Sequence, residues 1–549
     1  LEHHYFLEKT IQVNTLDFIF ALIMIFTLAW LLCLSVSVVT SSVDALLGAI
    51  QRKAGPVLVP IKDILRGDSV ALEFLRDLDP PLSQDSNLII QKPDVTHFCF
   101  LIHGHRGLSR DLAYMQAVMK KCVAMEIKRR SLNPSSMGED SVTHDTITKH
   151  DMVVHNVICN EGKTKDGVKN GGDRLVAEMR KVIEAEMAKR YPEEPELRDG
   201  IRNITVSILG NSLGGIYGRY AVAKLVTRHC VKENKEEHAC WILDEKYRLH
   251  LNIFCTTATP HLGVSRFTYL PIPRTAEIGV AHAMGDTGRD LFRLNDLLHK
   301  MATCPTFLQP LANFRKRIAY ANAYGTDFPV HAATAAFLSE NSSYPHHFLD
   351  DIHVDHDGLF IATMHTPPTH NKSKDTAQRS NAVDVKSEKK TKEEDTDYTF
   401  EDELHHMSES LDSIGWKKVF IDIRKEIPTL ELPKPLRKVL RYKSDSALVV
   451  NSKNCINYLR EQRIVKSKDI ASALGDSNDS RLLIPLGHNM IMAFSRSKLS
   501  AFMHKGGRPV VDTVAKDLVE DIFKWNTEFP SLDSMLSDID SIATNNDEA

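Results

Sequence analysis

Leu209-Gly210-Asn211-Ser212-Leu213-Gly214-Gly215 follows an apolar, β-branched stretch, Ile201 to Leu209, and leads into Ile216-Tyr217-Gly218-Arg219-Tyr220-Ala221-Val222-Ala223. The first stretch predicts a buried strand and the last a helix, so the glycine-rich run between them is a strand-to-helix turn of the form G-x-S-x-G. Such a turn is tight enough to force its serine into a strained backbone, and Gly210 and Gly214 leave the space for strand and helix to approach. Ser212 then presents its hydroxyl between the two elements. The pattern arises by chance in many chains, but flanked in this way it makes Ser212 a nucleophile candidate.

A nucleophilic serine needs an oxyanion hole and a base. Upstream, the short apolar run Phe98-Cys99-Phe100-Leu101-Ile102 opens into His103-Gly104-His105-Arg106-Gly107. A buried strand ending in such a loop is where one oxyanion donor belongs, so the hole is expected from the backbone N–H groups of Leu213 and His105. His103 and His105 have no cysteine or carboxylate at metal-ligand spacing, which speaks against a metal role for them. Downstream, Arg317-Ile318-Ala319-Tyr320-Ala321-Asn322 predicts another strand, and Gly325-Thr326-Asp327 follows it. Serine, then acid, then histidine is the expected chain order, which makes Asp327 the acid; Gly-Thr-Asp is also good turn-capping chemistry. Asp351, Asp355 and Asp357 are weaker candidates. The base comes last. His488, in Leu486-Gly487-His488-Asn489-Met490, stands in an expected loop before an apolar stretch, and His504 is its main rival. Neutral His488 would take the Ser212 proton, with Asp327 holding its tautomer.

These residues resemble the lipase-like putative serine esterase family of the α/β-hydrolase superfamily, and the resemblance reaches beyond the serine turn. Thr164-Lys165-Asp166-Gly167-Val168 with Gly172-Asp173-Arg174-Leu175 is similar to its T-x-D-G and G-x-R-L segment. Thr257-Ala258-Thr259-Pro260-His261-Leu262-Gly263 resembles its A-T-P-H-L-G signature, and Thr287-Gly288-Arg289-Asp290-Leu291-Phe292 its T-G-x-x-L-F helix. Tyr320 to Asp327 resembles the acid segment and His488-Asn489-Met490-Ile491 the H-x-x-I of the base. The likeness spans about Val95 to Val330 and then Trp416 to Val519. Two departures stand out: Asn211 replaces the histidine most common before the nucleophile, and residues 424–480 separate the strand at Trp416 to Ile423 from the base. The resemblance implies an α/β-hydrolase fold, with a mostly parallel central sheet and helices on both faces. It also implies a serine esterase or lipase with Ser212, Asp327 and His488 as triad.

The chain has a second strong feature. Phe18 to Val39 is uncharged and apolar, long enough to cross about 30 Å of hydrocarbon as a helix and longer than a typical signal-peptide core. It predicts a single-pass membrane anchor rather than a secretory signal. Glu2, Glu8, Lys9 and Asp17 precede it, whereas Arg52, Lys53, Lys62 and Arg66 follow, which puts the catalytic part on the cytosolic side. The expected organisation is an N-terminal segment 1–45 containing this helix, a membrane-proximal segment 46–94, and a hydrolase core in two parts, 95–365 and 401–530. A charged insert, 366–400, separates the two parts, and a tail, 531–549, ends the chain. Lys386 to Asp397 is almost all charged or small polar, so the insert is expected to be disordered.

The second part of the core carries the insertion 424–480, in which Leu432 to Lys443 interleaves basic and apolar residues as a membrane-facing flap or lid would. A solvated loop with a short helix reads equally well there.

With 549 residues, 42% apolar, the chain can bury one large core with insertions, and its net charge of −4 offers no nucleic-acid footprint. Nine cysteines without C-x-x-C pairs suggest neither a disulfide framework nor a zinc site. His346-His347 and His353 to Asp357 look metal-like, but Tyr344-Pro345-His346 also resembles a loop of the family. No cofactor and no metal are called for. The expected activity is cleavage of acyl esters, those of lipids above all, through an acyl-serine. An acyltransferase or protein depalmitoylase would use the same triad, and a non-catalytic scaffold would keep the same fold.

Overall fold

The computed structural model describes residues 89–132, 149–192, 202–226, 240–244, 246–265, 267, 274–323, 327, 330–338, 348–349, 359–366, 400–427, 429–431, 481–483, 486–496 and 498–525. The apolar segment Phe18 to Val39 lies outside these residues. So do 367–399 of the charged insert, 432–480, the tail 531–549, and the His346-His347 and Asp351 to Asp357 region. Among the described residues no helix is long and apolar enough to cross a membrane.

One sheet dominates. Its strands are β1 (Val95–Ile102), β2 (His150–Asn156), β3 (Arg202–Asn211), β4 (Cys240–Leu243), β5 (Tyr247–Thr257), β6 (Lys316–Asn322), β7 (Phe348–Leu349), β8 (Phe360–Thr366) and β9 (Trp416–Ile421). They lie in the order β2-β1-β3-β5-β6-β9-β8-β7, with β4 added on β5. From β2 through β9 along the central path every pairing is parallel, while β8 runs antiparallel to β9, β7 to β8 and β4 to β5. This is the mostly parallel α/β sheet expected, consistent with an α/β-hydrolase fold. It carries an antiparallel edge that the sequence does not announce.

The strands are continuous apolar runs because helices cover both faces, and alternate side chains go to opposite layers. Phe98, Phe100 and Ile102 of β1 and Ile204, Val206 and Ile208 of β3 pack in one layer. There they meet α2 (Val168–Arg190) through Leu175, Met179 and Ile183, and α3 (Leu213–Val226) through Ile216, Tyr217 and Tyr220. Cys99 and Leu101 of β1 and Val419 and Ile421 of β9 face the other layer, against α1 (Ala113–Leu132) and α12 (Arg508–Phe523). The last of these closes the layer with Val511, Val514, Leu518 and Ile522 buried. Between α3 and α12 lie α4 (Arg274–Ala283), α5 (Asp286–Leu291), α6 (Leu297–Thr303), α7 (Pro305–Ala312), α8 (Ala332–Ala335), α9 (Phe400–Asp412), α10 (Gly487–Met490) and α11 (Lys498–Met503).

A second, two-stranded antiparallel sheet pairs β10 (Thr429–Glu431) with β11 (Arg481–Leu483), Glu431 opposite Arg481. It brings the two ends of the 432–480 stretch together, so that the inserted length adds nothing to the distance between β9 and the residues that follow β11. Closing a longer loop costs only slowly more entropy.

Several buried polar groups find partners across strands. His97 on β1 bonds the Thr205 hydroxyl at 2.7 Å through Nδ1 and His150 Nδ1 at 2.8 Å through Nε2. Burial holds His97 well below the usual histidine range and brings His150 down to about 4, so both are neutral at pH 7. His261 is likewise buried and held far below its ordinary value, first by burial and then by the neighbouring Arg219 and Lys418. The unfolded chain takes up protons on these histidines at about pH 6.5, where all three stay neutral in the folded chain; His150 refuses its proton until about pH 4. Stability is therefore full above about pH 6.5 and decreases as the pH falls toward about 4. Urea unfolding is expected to show a midpoint that drops through this window, with a smaller drop in His150→Gln; a midpoint unchanged from about pH 7 to about pH 4.5 would contradict this account.

Candidate active site

Ser212 sits between β3 and α3 with a φ of 55°, in the left-handed region that non-glycine residues avoid at a cost of about 1 to 3 kcal/mol. Its N–H donates to the Thr257 carbonyl at 2.9 Å and its carbonyl accepts from the Gly215 N–H at 3.1 Å, which hold the conformation from both sides. The glycines of the turn are required by close approach. A Cβ at Gly210 would lie 2.4 Å from the Gly215 Cα, and one at Gly214 would lie 2.1 Å from the Ile102 carbonyl oxygen at the end of β1. Helix α3 begins at Leu213, earlier than the sequence predicts it, so the Leu213 N–H is among the first-turn donors that an α-helix leaves unpaired. The helix dipole adds a positive field at the same point. Asn211, where a histidine was expected, is buried and accepts a bond from the Thr257 hydroxyl at 3.0 Å, tying the turn to β5.

The loop after β1 lies against the serine. A Cβ on Gly104 would come within 2.6 Å of the Ser212 Cβ and 3.0 Å of its Oγ. His105 and Arg106 are fixed by Thr164: the Arg106 N–H donates to the Thr164 hydroxyl at 2.8 Å, and the His105 Nδ1 to the Thr164 carbonyl at 3.2 Å. Burial brings the His105 imidazole down to about 4, so the ring is neutral at pH 7. His103 is fully buried, with Nδ1 3.1 Å from the Gly104 carbonyl.

Asp327 follows β6, is 3% exposed, and accepts from three donors. The Asn322 amide reaches one carboxylate oxygen at 3.1 Å, the Val330 N–H the other at 3.1 Å, and the His488 Nδ1 lies 2.9 Å and 3.0 Å from the two oxygens. The Val330 bond is the turn cap that the residue type suggests, and it coexists with the histidine contact. An isolated antiparallel bridge between Asp327 and Leu486 brings the two segments together. With Nδ1 committed to the carboxylate, Nε2 is the nitrogen free to accept a proton.

His488 does not stand in a loop, as its sequence suggests, but on the short helix α10. The segment folds back on itself: the Met490 and Ile491 N–H groups bond the Leu486 and Gly487 carbonyls, and Ala493 and Phe494 close on Met490 and Asn489. His504, the rival base, is buried beside Phe494 at a ring distance of 6.2 Å, and it is His488 that contacts the Asp327 carboxylate.

Ser212, His105, Asp327 and His488 thus come from segments that follow the carboxyl ends of β1, β3 and β6 or the late ribbon. In open parallel sheets that edge is where ligands bind. Among the described residues no group of histidine, cysteine and acidic side chains is arranged to hold a metal ion. No hydrogen bond joins the Ser212 hydroxyl to His488 among the described residues. Asn322 was not singled out from the sequence; its place at the end of β6, just before the acid, is the only signal it offers.

No curated protein significantly matches the chain. Residues 92–337, which take in Gly104, Ser212 and Asp327 and end before His488, match a family model described as Putative serine esterase. Through this segment the chain is similar to the putative serine esterase family.

Proposed function

We propose that this protein is a serine hydrolase of acyl esters, with Ser212 as nucleophile, His488 as general base and acid, and Asp327 as the group that orients His488. The observation that carries the reading is the Asp327 to His488 contact, made across 161 positions of sequence at the sheet edge that also presents Ser212. In this reading Ser212 Oγ attacks the ester carbonyl carbon while His488 Nε2 takes its proton. The Leu213 and His105 N–H groups stabilise the oxyanion, an effect worth about 3 to 4 kcal/mol per donor. Collapse expels the alcohol, protonated by His488, and leaves acyl-Ser212. Water then attacks the acyl-enzyme by the same route in reverse and releases the acid.

The substrate is proposed to be a lipid ester that reaches the site from a membrane. Two sequence features outside the described residues support this: the apolar segment Phe18 to Val39 and the basic, apolar stretch Leu432 to Lys443. The same features support a single-pass protein with its catalytic part facing the cytosol. A long-chain alcohol or a cysteine thioester in place of water and oxygen ester would make the same site an acyltransferase or depalmitoylase.

Fluorophosphonate labelling of the full chain, with hydrolysis of p-nitrophenyl butyrate and of phospholipid vesicles, tests the reading. Ser212→Ala is expected to abolish labelling, and His488→Ala and Asp327→Asn to lower kcat by about 10⁴-fold each, without additivity between them. Labelling kept in His488→Ala would remove His488 from the role. Equal kcat/KM for vesicle and soluble ester would sink the lipid half of the proposal.

Gly104→Ala provides a steric test. Its methyl group would lie 2.6 Å from the Ser212 Cβ and 3.0 Å from its Oγ, so the loop and the serine turn must shift apart: labelling per folded molecule should slow by roughly 100-fold and the thermal midpoint should fall. Wild-type labelling in that variant would mean that this loop does not face the reacting carbonyl.

A further inference from the structure

Asp111 is fully buried. Its carboxylate accepts the Leu108 N–H at 2.8 Å and a two-pronged bond from Arg496, Nε at 2.8 Å and Nη2 at 2.7 Å. The same Nη2 donates to the Arg106 carbonyl at 3.0 Å. Around this pair the Ser495 N–H bonds the Asp111 carbonyl, the Ser495 hydroxyl bonds the Arg110 carbonyl, and the Tyr114 N–H bonds the Ser495 hydroxyl, each at 3.2 Å. One partner segment is the loop that carries His105, the residue next to Arg106. The other is the end of the segment that carries His488.

We propose that Arg496, seated on Asp111, is a positioning residue that locks the His105 loop to the His488 segment and so fixes the oxyanion donor relative to the base. The proposal rests on the triad reading above. Three features make the lock effective. The loop is held on its far side by Thr164 and by Glu161, whose carboxylate accepts the Ser109 N–H at 2.6 Å, so Arg496 closes a clamp. Between His488 and Arg496 the chain is compact and its Met490, Ile491, Met492 and Ala493 are buried, so that a shift at Arg496 is transmitted to the imidazole. The Arg496 side chain is 19% exposed and the Asp111 side chain is fully buried, which leaves the pair largely shielded from water. A planar guanidinium can span both carboxylate oxygens and a carbonyl at once, whereas a lysine ammonium cannot.

The test uses the full chain in detergent, with active sites counted by fluorophosphonate so that misfolded molecules do not enter the rate. Arg496→Lys keeps the charge and most of the packing. It is expected to lower kcat for p-nitrophenyl butyrate per titrated site by roughly 10- to 100-fold, with KM changed by less than about threefold. Asp111→Asn should do the same, and the double variant should lose no more than the worse single one, because one contact is removed in each. An unchanged kcat per titrated site, a loss confined to the number of titratable sites, or additive losses would each overturn the proposal. Ser212→Ala run in parallel separates the two levels: turnover retained there would refute the triad reading itself, whatever Arg496 does.

Discussion

The contact between α3 and the end of β1 constrains the rest of the site. At Gly214 there is room for a hydrogen and nothing more, because the Ile102 carbonyl oxygen stands 2.1 Å from where a Cβ would be. This approach makes the chain reverse from strand to helix within one residue, and the residue that turns is Ser212, with its φ of 55°. Ile102 also pairs with Gly210 in the parallel ladder of β1 and β3, so the two strands end at the same level. The loop after β1 therefore emerges beside the serine, with Gly104 in contact with it.

Other segments with recognisable sequence patterns turn out to be the fittings of this arrangement. Helix α2 begins at Gly167 without a cap of its own. The Asp290 carboxylate accepts the Val168 N–H at 2.7 Å and the Thr287 hydroxyl the Gly167 N–H at 3.0 Å, so the T-G-x-x-L-F segment caps the helix begun by T-x-D-G. Thr164 in that same stretch holds the His105 loop. Arg219, on α3, is buried among backbone carbonyls, donating to Met301 at 2.7 Å and His261 at 3.3 Å, and burial brings its guanidinium down to about 9. A buried cation is tolerated only when such partners replace water. It links α3 to the A-T-P-H-L-G turn and to α6. The motifs are separate in sequence but meet in one apolar layer around α3.

The later part of the chain reaches the site by a different route. The β10 and β11 ribbon closes off the stretch between them, and the Asp327 to Leu486 bridge then sets α10 against the acid. In this way a long excursion between β9 and His488 is compatible with a carboxylate to imidazole distance of 2.9 Å.

Much of this was legible in the residues themselves. Steric demands between near neighbours are local, so Gly210, Ser212 and Gly214 declare the turn, and the apolar runs of β1, β3 and β6 declare buried strands. What the residues did not disclose depends on partners supplied by strand order and packing. The antiparallel β7 and β8 edge, α10 in place of a loop, Asn322 beside the acid, Asp290 as a cap for another helix, and Asp111 under Arg496 are all of this kind. A lone aspartate or arginine reads as a surface charge until the fold removes water from around it and brings the opposite charge to 2.7 Å. Short-range sterics are written in adjacent residues, so sequence alone determined the turn and its serine; hydrogen bonds between distant segments exist only once the sheet is assembled, so the tertiary structure alone decided what holds the rest in place.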